Sequence, residues 1–241
     1  PEYRNTMTYF TLAFKVFHCV NNGEIDFIYG CARRKNVIKG HISLGFHSIG
    51  LLDVLYKIIK PFEFIGRYYN IKLITILGKP LDIIYNTLIT IFKYFSIIKY
   101  SLITKELSIN SKMLFDIASY LRLHCEKFIS LDWSNDYFIQ RYSQTISGSR
   151  YRIFSGSNNK EIVGSILWRV ANKKNIRVAV IMDIIYQEKD LKLIKKILKE
   201  FEIIVYKEKC SSIIYLNGDK EISDILKSNL YFRSGIKYNF L

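Results

Sequence analysis

One carboxylate stands out by its setting. Asp183 sits inside Ile176–Tyr186 (IRVAVIMDIIY), a run so apolar that burial on both faces is expected. A carboxylate there needs a partner. Arg169 and Arg141 are available, so a structural ion pair is the preferred reading and contact with a polar substrate group the alternative. Asp190 is placed to cap the helix that follows, Leu191–Phe201, whose Leu191, Ile194, Leu198 and Phe201 recur at helical spacing. A buried strand delivered into a helix N-terminus is a layout that can hold a phosphate-bearing ligand. Basic groups that could pair with phosphate occur at Arg4, in the opening PEYR, and in the run Arg33-Arg34-Lys35. The default for that run is a solvated charge cluster.

Other chemistries lack their residues. Cys19, Cys31, Cys125 and Cys210 include no CxxC pair and no histidine cluster accompanies them, so no metal site is expected. Scattered thiols of this kind read as reduced and cytoplasmic. There is no P-loop, no G-x-S-x-G, no H-E-x-x-H and no nucleic-acid module.

The elements that position these groups follow from pattern. Tyr151–Ser155, Ile162–Val170 and Ile176–Tyr186 read as three strands joined by the turn clusters Ser157–Lys160 and Asn172–Asn175. Gly164 inside the second marks a bulge or a close backbone approach. After the Leu191–Phe201 helix come a connection or short strand at Ile203–Lys207, a strand at Ser212–Leu216, a helix at Lys220–Ser228 and a strand at Ser234–Leu241. Upstream, helices are expected over about Thr6–Asn21, Asn36–Leu44 (stopped by Gly45), Met113–Glu126 and Asn135–Tyr142. Strands are expected at Ile25–Gly30 and within Phe46–Ile59, a short extended stretch at Phe128–Trp133 and a linker at Glu106–Lys112. Gly78-Lys79-Pro80 should break the apolar, basic region Pro61–Thr104. Leu81–Ile103 is nearly long enough to cross a bilayer but carries Asp82, Lys93 and Lys99. A buried linker helix is preferred there over an interfacial amphipathic helix or a span.

The 241 residues are 49% hydrophobic, enough for one large or two small domains with a real core. The net charge of +15 favours an anionic partner: a nucleotide cofactor, an acidic membrane surface or nucleic acid. The bland alternative is lysine enrichment that solvates the surface, in a composition rich in Ile, Lys, Asn and Tyr of the kind an AT-rich bacterial genome gives.

The order of elements resembles the GNAT superfamily of acyl-CoA N-acyltransferases. Residues Pro1–Arg4 (PEYR) followed by helix, strand, helix and Ser43–Phe46 (SLGF) resemble the later half of such a domain. "DYFIQRY", "YRIFS", "IVGSILWRV" and "VAVIMDI" then resemble the second lobe of bacterial two-lobed members. The fold implied is α+β: two tandem lobes, each a mostly antiparallel sheet flanked by helices, the first incomplete. Residues 1–62 would be the end of the first lobe, 63–112 a linker region and 113–241 the second lobe. The chain opens in mid-motif, at Pro rather than Met, and is expected to be a fragment.

The resemblance implies transfer of an acyl group, acetyl being the one expected, from acetyl-CoA or another acyl-CoA to an amine. It implies cofactor contacts at Arg4, Asn5, Thr6 and Asn36, and leaves the catalytic base of the first lobe unnamed. Asn36 can alternatively cap its helix, and His41 is a minor candidate for the acid. Two departures are plain. The glycines of the first cofactor loop are Asn5 and Met7 here, and the corresponding loop of the second lobe, Gln187–Lys192, replaces both glycines and carries Glu188 and Asp190. The second lobe would then be a structural or acceptor-binding partner. The competing reading is a non-catalytic, degenerate binding or scaffold protein, with a peripheral membrane protein a weaker third. No nucleic-acid partner is expected.

Overall fold

A computed structural model of the chain describes residues 15, 18–19, 22, 31–32, 35–43, 45–48, 50–95, 103–107, 142, 151–158, 161–173, 176–186, 191–217 and 220–240. The chain divides into two compact units, Pro1–Leu52 with Lys237–Leu241, and Asp53–Ile236.

In the first unit, β1 (Cys31–Ala32) runs antiparallel to the end of β8 (Phe232–Phe240), with Cys31 opposite Phe240 and Ala32 opposite Asn239. Helix α1 (Lys35–Ser43) stops at Gly45, as expected. Gly45 takes φ 94°, the left-handed conformation that glycine adopts most readily, and its N–H donates to the Ile42 carbonyl at 3.0 Å.

The second unit is a mostly antiparallel sheet flanked by helices. Its strands are β2 (Gly50–Ile58), β3 (Ile103–Leu107), β4 (Tyr151–Asn158), β5 (Glu161–Lys173), β6 (Ile176–Tyr186), β7 (Ser212–Asn217) and the start of β8. They lie in the order β8-β2-β7-β6-β5-β4-β3. The β2–β7, β3–β4, β4–β5 and β5–β6 pairs are antiparallel, and β6–β7 is parallel. The helices are α2 (Pro61–Tyr68), α3 (Lys72–Phe95), α4 (Leu191–Lys207) and α5 (Lys220–Ser228).

The central strands are buried on both sides, as the composition of β6 predicts. One face carries Phe154, Ile166, Trp168, Ala179 and Ile181 into the core shared with α4. Phe201 of α4 meets Trp168 edge to face at 5.2 Å. The other face buries Ile153, Leu167 and Ile185. Gly164 is a close-approach position. A Cβ there would run into the Ile194 side chain and lie 3.0 Å from Ile197 Cδ1, so glycine lets α4 settle onto β5.

Several local expectations give way. The turn clusters at Ser157–Lys160 and Asn172–Asn175 shrink, because strand pairing carries β4 through Asn158 and β5 through Lys173. Helix α4 does not end at Phe201 but runs through Ile203–Lys207, because Val205 continues the buried stripe of Leu198 and Phe201 and no breaker intervenes. Glu106 and Leu107 are not linker but the end of β3, opposite Phe154 and Ile153. Gly78-Lys79-Pro80 does not break the region: α3 is continuous across it. Pro80 is exposed, so the bond it cannot donate is missed on the solvent side, while Gly78 is buried against Phe62 of α2. Among the described residues no helix is long and apolar enough to cross a membrane. The expected elements at Thr6–Asn21, Ile25–Gly30, Met113–Glu126, Phe128–Trp133 and Asn135–Tyr142 lie outside the described residues, apart from Lys15, His18, Cys19 and Tyr142.

Two buried polar groups hold the second unit together. The Asp82 carboxylate of α3 accepts from the Phe62 and Glu63 backbone N–H groups at 3.0 and 2.9 Å, satisfying the start of α2 from a neighbouring helix. Burial pushes its carboxyl up from the usual range, against the pull of those two bonds. Lys57 on β2 pairs with Glu202 of α4 at 2.7 Å and donates to the Asn229 carbonyl at 2.6 Å.

Candidate functional site

The sheet is interrupted where β6 and β7 part. Their parallel register runs from Val178 opposite Ser212 to Ile181 opposite Tyr215, and goes no further. β6 nevertheless continues to Tyr186, held by β5, and β7 continues to Asn217, held by β2. The cause lies in one residue. Trp168 faces Ile181 and Leu167 faces Asp183, so Met182 is an extra residue on β6. A bulge of this kind bends its strand and sharpens the local twist. Past the bulge, β6 follows β5 while β7 follows β2. The main chain along such a parting can take an extended, amide-bearing chain in place of a strand.

Charge near this point has two sources. Asp183 is the first residue after the bulge, half-buried, and its Oδ1 accepts from the Ile184 N–H at 2.8 Å. It lies across from Leu167, while Arg169 faces Val180. Beneath the same stretch, the Ser155 and Ser165 hydroxyls are hydrogen-bonded at 2.6 Å and buried. Helix α4, which follows β6, has no acidic residue in its first turn and carries Lys192, Lys195 and Lys196 near its start. A helix N-terminus with lysines favours an anion. The described residues could meet an extended anionic ligand: strand main chain for hydrogen bonds, lysines for negative charge, a carboxylate beside the bulge.

Of the residues expected to contact a cofactor, Arg4, Asn5 and Thr6 lie outside the described residues, as do Arg33, Arg34, Arg141 and Gln187–Asp190. Asn36 lies in α1, one residue after its start. His41 is in the same helix, its ring edge-on to Phe46 at 5.0 Å.

A buried cluster escaped the reading of the sequence. Lys57 lies under α4 against Glu202, with its ammonium 5.3 Å from the centre of the Tyr231 ring. Burial, and then the Glu202 carboxylate, raise the Tyr231 hydroxyl well above its ordinary range. The signal was there: Leu55 and Lys57 of β2 alternate with Ile59 just beyond it, and all three are buried. Lys57 also borders a cavity of about 330 Å³ with Asn86, Glu202 and Tyr206.

Among solved structures, the chain is similar to a GCN5-related N-acetyltransferase from Anabaena variabilis, with a TM-score of 0.56 and 10% identity over 100% of this chain and 52% of that one. It is also similar to Saccharomyces cerevisiae N-myristoyltransferase with bound myristoyl-CoA, with a TM-score of 0.51 and 10% identity over 79% of this chain and 47% of that one. The chain thus spans about half the length of each. No protein-family model matches the sequence, and no curated protein matches it. The chain has the fold of the GCN5-related N-acetyltransferases.

Proposed function

We propose that this chain is part of an N-acyltransferase that moves an acyl group from acyl-CoA to an amine. The parting of β6 from β7 at the Met182 bulge carries the reading, because it leaves strand main chain where an extended thioester can lie. The fold is shared with N-myristoyltransferase, whose structure holds myristoyl-CoA, and with a GCN5-related N-acetyltransferase. The cosubstrate supplies a thioester carbonyl. The amine attacks it, the carbon–sulfur bond breaks, and the amine's proton must go to a base. Asp183, next to the bulge, is the carboxylate proposed for that role. In the first unit, taken by itself, Arg4, Asn5, Thr6 and Asn36 are proposed as contacts of that unit's own acyl-CoA loop, with Arg4 on phosphate. The amine acceptor is left as a class.

Calorimetry with acetyl-CoA and a longer acyl-CoA tests the reading. Micromolar binding that weakens in Arg4→Ala supports it. Thiol release with an amine panel should then be lost in Asp183→Asn while binding survives. No binding at millimolar acyl-CoA sinks it.

A further inference from the structure

Helix α3 is inside out. Its inward residues are small or polar: Gly78 against Phe62, Asp82 on the α2 N–H groups, and Asn86, whose Nδ2 donates to the Ile59 carbonyl at 2.9 Å. Its outward residues are apolar. Leu73, Leu77, Leu81, Ile84, Leu88 and Ile91 recur every three or four positions and form one continuous face. Leu73 is 66% exposed, Leu77 58% and Ile84 56%. Tyr68 and Tyr69 extend the apolar surface at the turn between α2 and α3. Helix α5 of the same unit has the ordinary polarity, with Ile222, Ile225 and Leu226 buried and Lys220, Asp224 and Lys227 exposed. A contiguous face this large needs a cover.

Charge decides which cover fits. Residues 61–95 contain two acids, Glu63 and Asp82, and both are buried. Lys72 and Lys79, seven residues apart on one edge of the apolar face, are exposed. Beside that edge opens a cavity of about 900 Å³ bordered by five cationic residues, Lys79 among them, and by Glu63 and Asp82, with Lys60 and Arg67 paired to Glu63. An apolar face with tyrosines at one end and lysines along one edge matches an anionic lipid surface, apolar below the headgroups and negative at them. A second copy of the chain would bring the same lysines and the same charge of +15 against it.

We propose that α3 lies in the plane of an anionic membrane surface, with Leu73, Leu77, Ile84 and Leu88 below the headgroups and Lys72 and Lys79 among them. The helix docks on the bilayer and does not cross it.

The test is co-sedimentation with vesicles of phosphatidylcholine alone and of phosphatidylcholine with phosphatidylglycerol. The chain should bind the anionic vesicles. The double variant Leu77→Gln/Ile84→Gln should lose about tenfold or more in partition coefficient. Lys72→Gln/Lys79→Gln should lose about thirtyfold on anionic vesicles and little on neutral ones. All substituted side chains are exposed, so the urea midpoints of both variants should match the parent's, which separates lost docking from lost folding. Equal binding by parent and Leu77→Gln/Ile84→Gln overturns the proposal. So does a parent that ignores vesicles and sediments as a dimer, if that variant converts it to a monomer.

Discussion

Replacing Glu202 by leucine strands the Lys57 ammonium. The two side chains are 7% and 3% exposed, so water reaches the ammonium from the bordering cavity alone and replaces the lost carboxylate poorly. Removing one partner of such a pair costs about 3–5 kcal/mol, because the remaining charge stays buried. Lys57 keeps its bond to the Asn229 carbonyl at 2.6 Å and the Tyr231 ring, which puts the loss at the lower end, about 3 kcal/mol. For a unit of this size that is about 6–12 °C in Tm. The partner experiment is Lys57→Met with Glu202→Leu. Removing both charges leaves the Asn229 carbonyl without its donor, about 1 kcal/mol, and gains apolar packing. The double variant should therefore lie within about 1 kcal/mol of the parent, with a coupling energy of about 2 kcal/mol or more. Urea unfolding followed by tryptophan fluorescence reads both numbers, with an unchanged m value as the control. A Glu202→Leu loss below about 1 kcal/mol, or a double variant less stable than Glu202→Leu, refutes the reasoning.

Tyr231 makes a pH prediction. Its hydroxyl ionises above the ordinary 10.0 in the folded chain, so as pH rises past that value the unfolded chain loses this proton first and stability falls. The stabilisation is complete below about pH 10, and Tyr231→Phe should flatten the alkaline decline relative to the parent in urea titrations at stepped pH. Gly66→Ala should cost about 2–3 kcal/mol, because its Cβ would meet the Thr75 backbone nitrogen at 2.6 Å and force α2 from α3. Gly164→Ala should cost about 1–2 kcal/mol, since its nearest obstacles are the ends of Ile194 and Ile197; denaturation midpoints rank the two. Asp82→Ala should lose about 1–3 kcal/mol by leaving the Phe62 and Glu63 N–H groups unmet, and Asp82→Asn less, because one amide oxygen still accepts; thermal melts distinguish them.

What could be read from the sequence was what local pattern encodes. The bounds of β6 and α5 follow from an apolar run and a helical stripe, and of the two readings of Gly164, a bulge or a close approach, the packing of Ile194 and Ile197 selects the second. The end of α4 was hidden because Ile203–Lys207 is β-prone in isolation and helical only once Val205 is buried beside Phe201. Pro80 misled because the penalty of an internal proline depends on which side of the helix it falls, and that side is set by Gly78 and Asp82 packing on α2. The bulge at Met182 leaves no mark in composition. It exists only in the register between β5 and β6, so the parting of the sheet was invisible until both strands were in place. Asp183 was visible as an oddity, and its position beside the parting was not.

The place of β2 in the sheet also governs how the chain can fold. Its Lys57 meets Glu202 across 145 residues and the Asn229 carbonyl across 172. During synthesis β2 leaves the ribosome long before its neighbours β7 and β8 exist, so its edges wait unpaired until those strands arrive. Pairings so distant in sequence carry a large loop-closure cost before they return anything, and they slow folding. Assembly of the second unit is thus held until β7 and β8 have been made, and a refolding jump should show the burial of Lys57 among the last events.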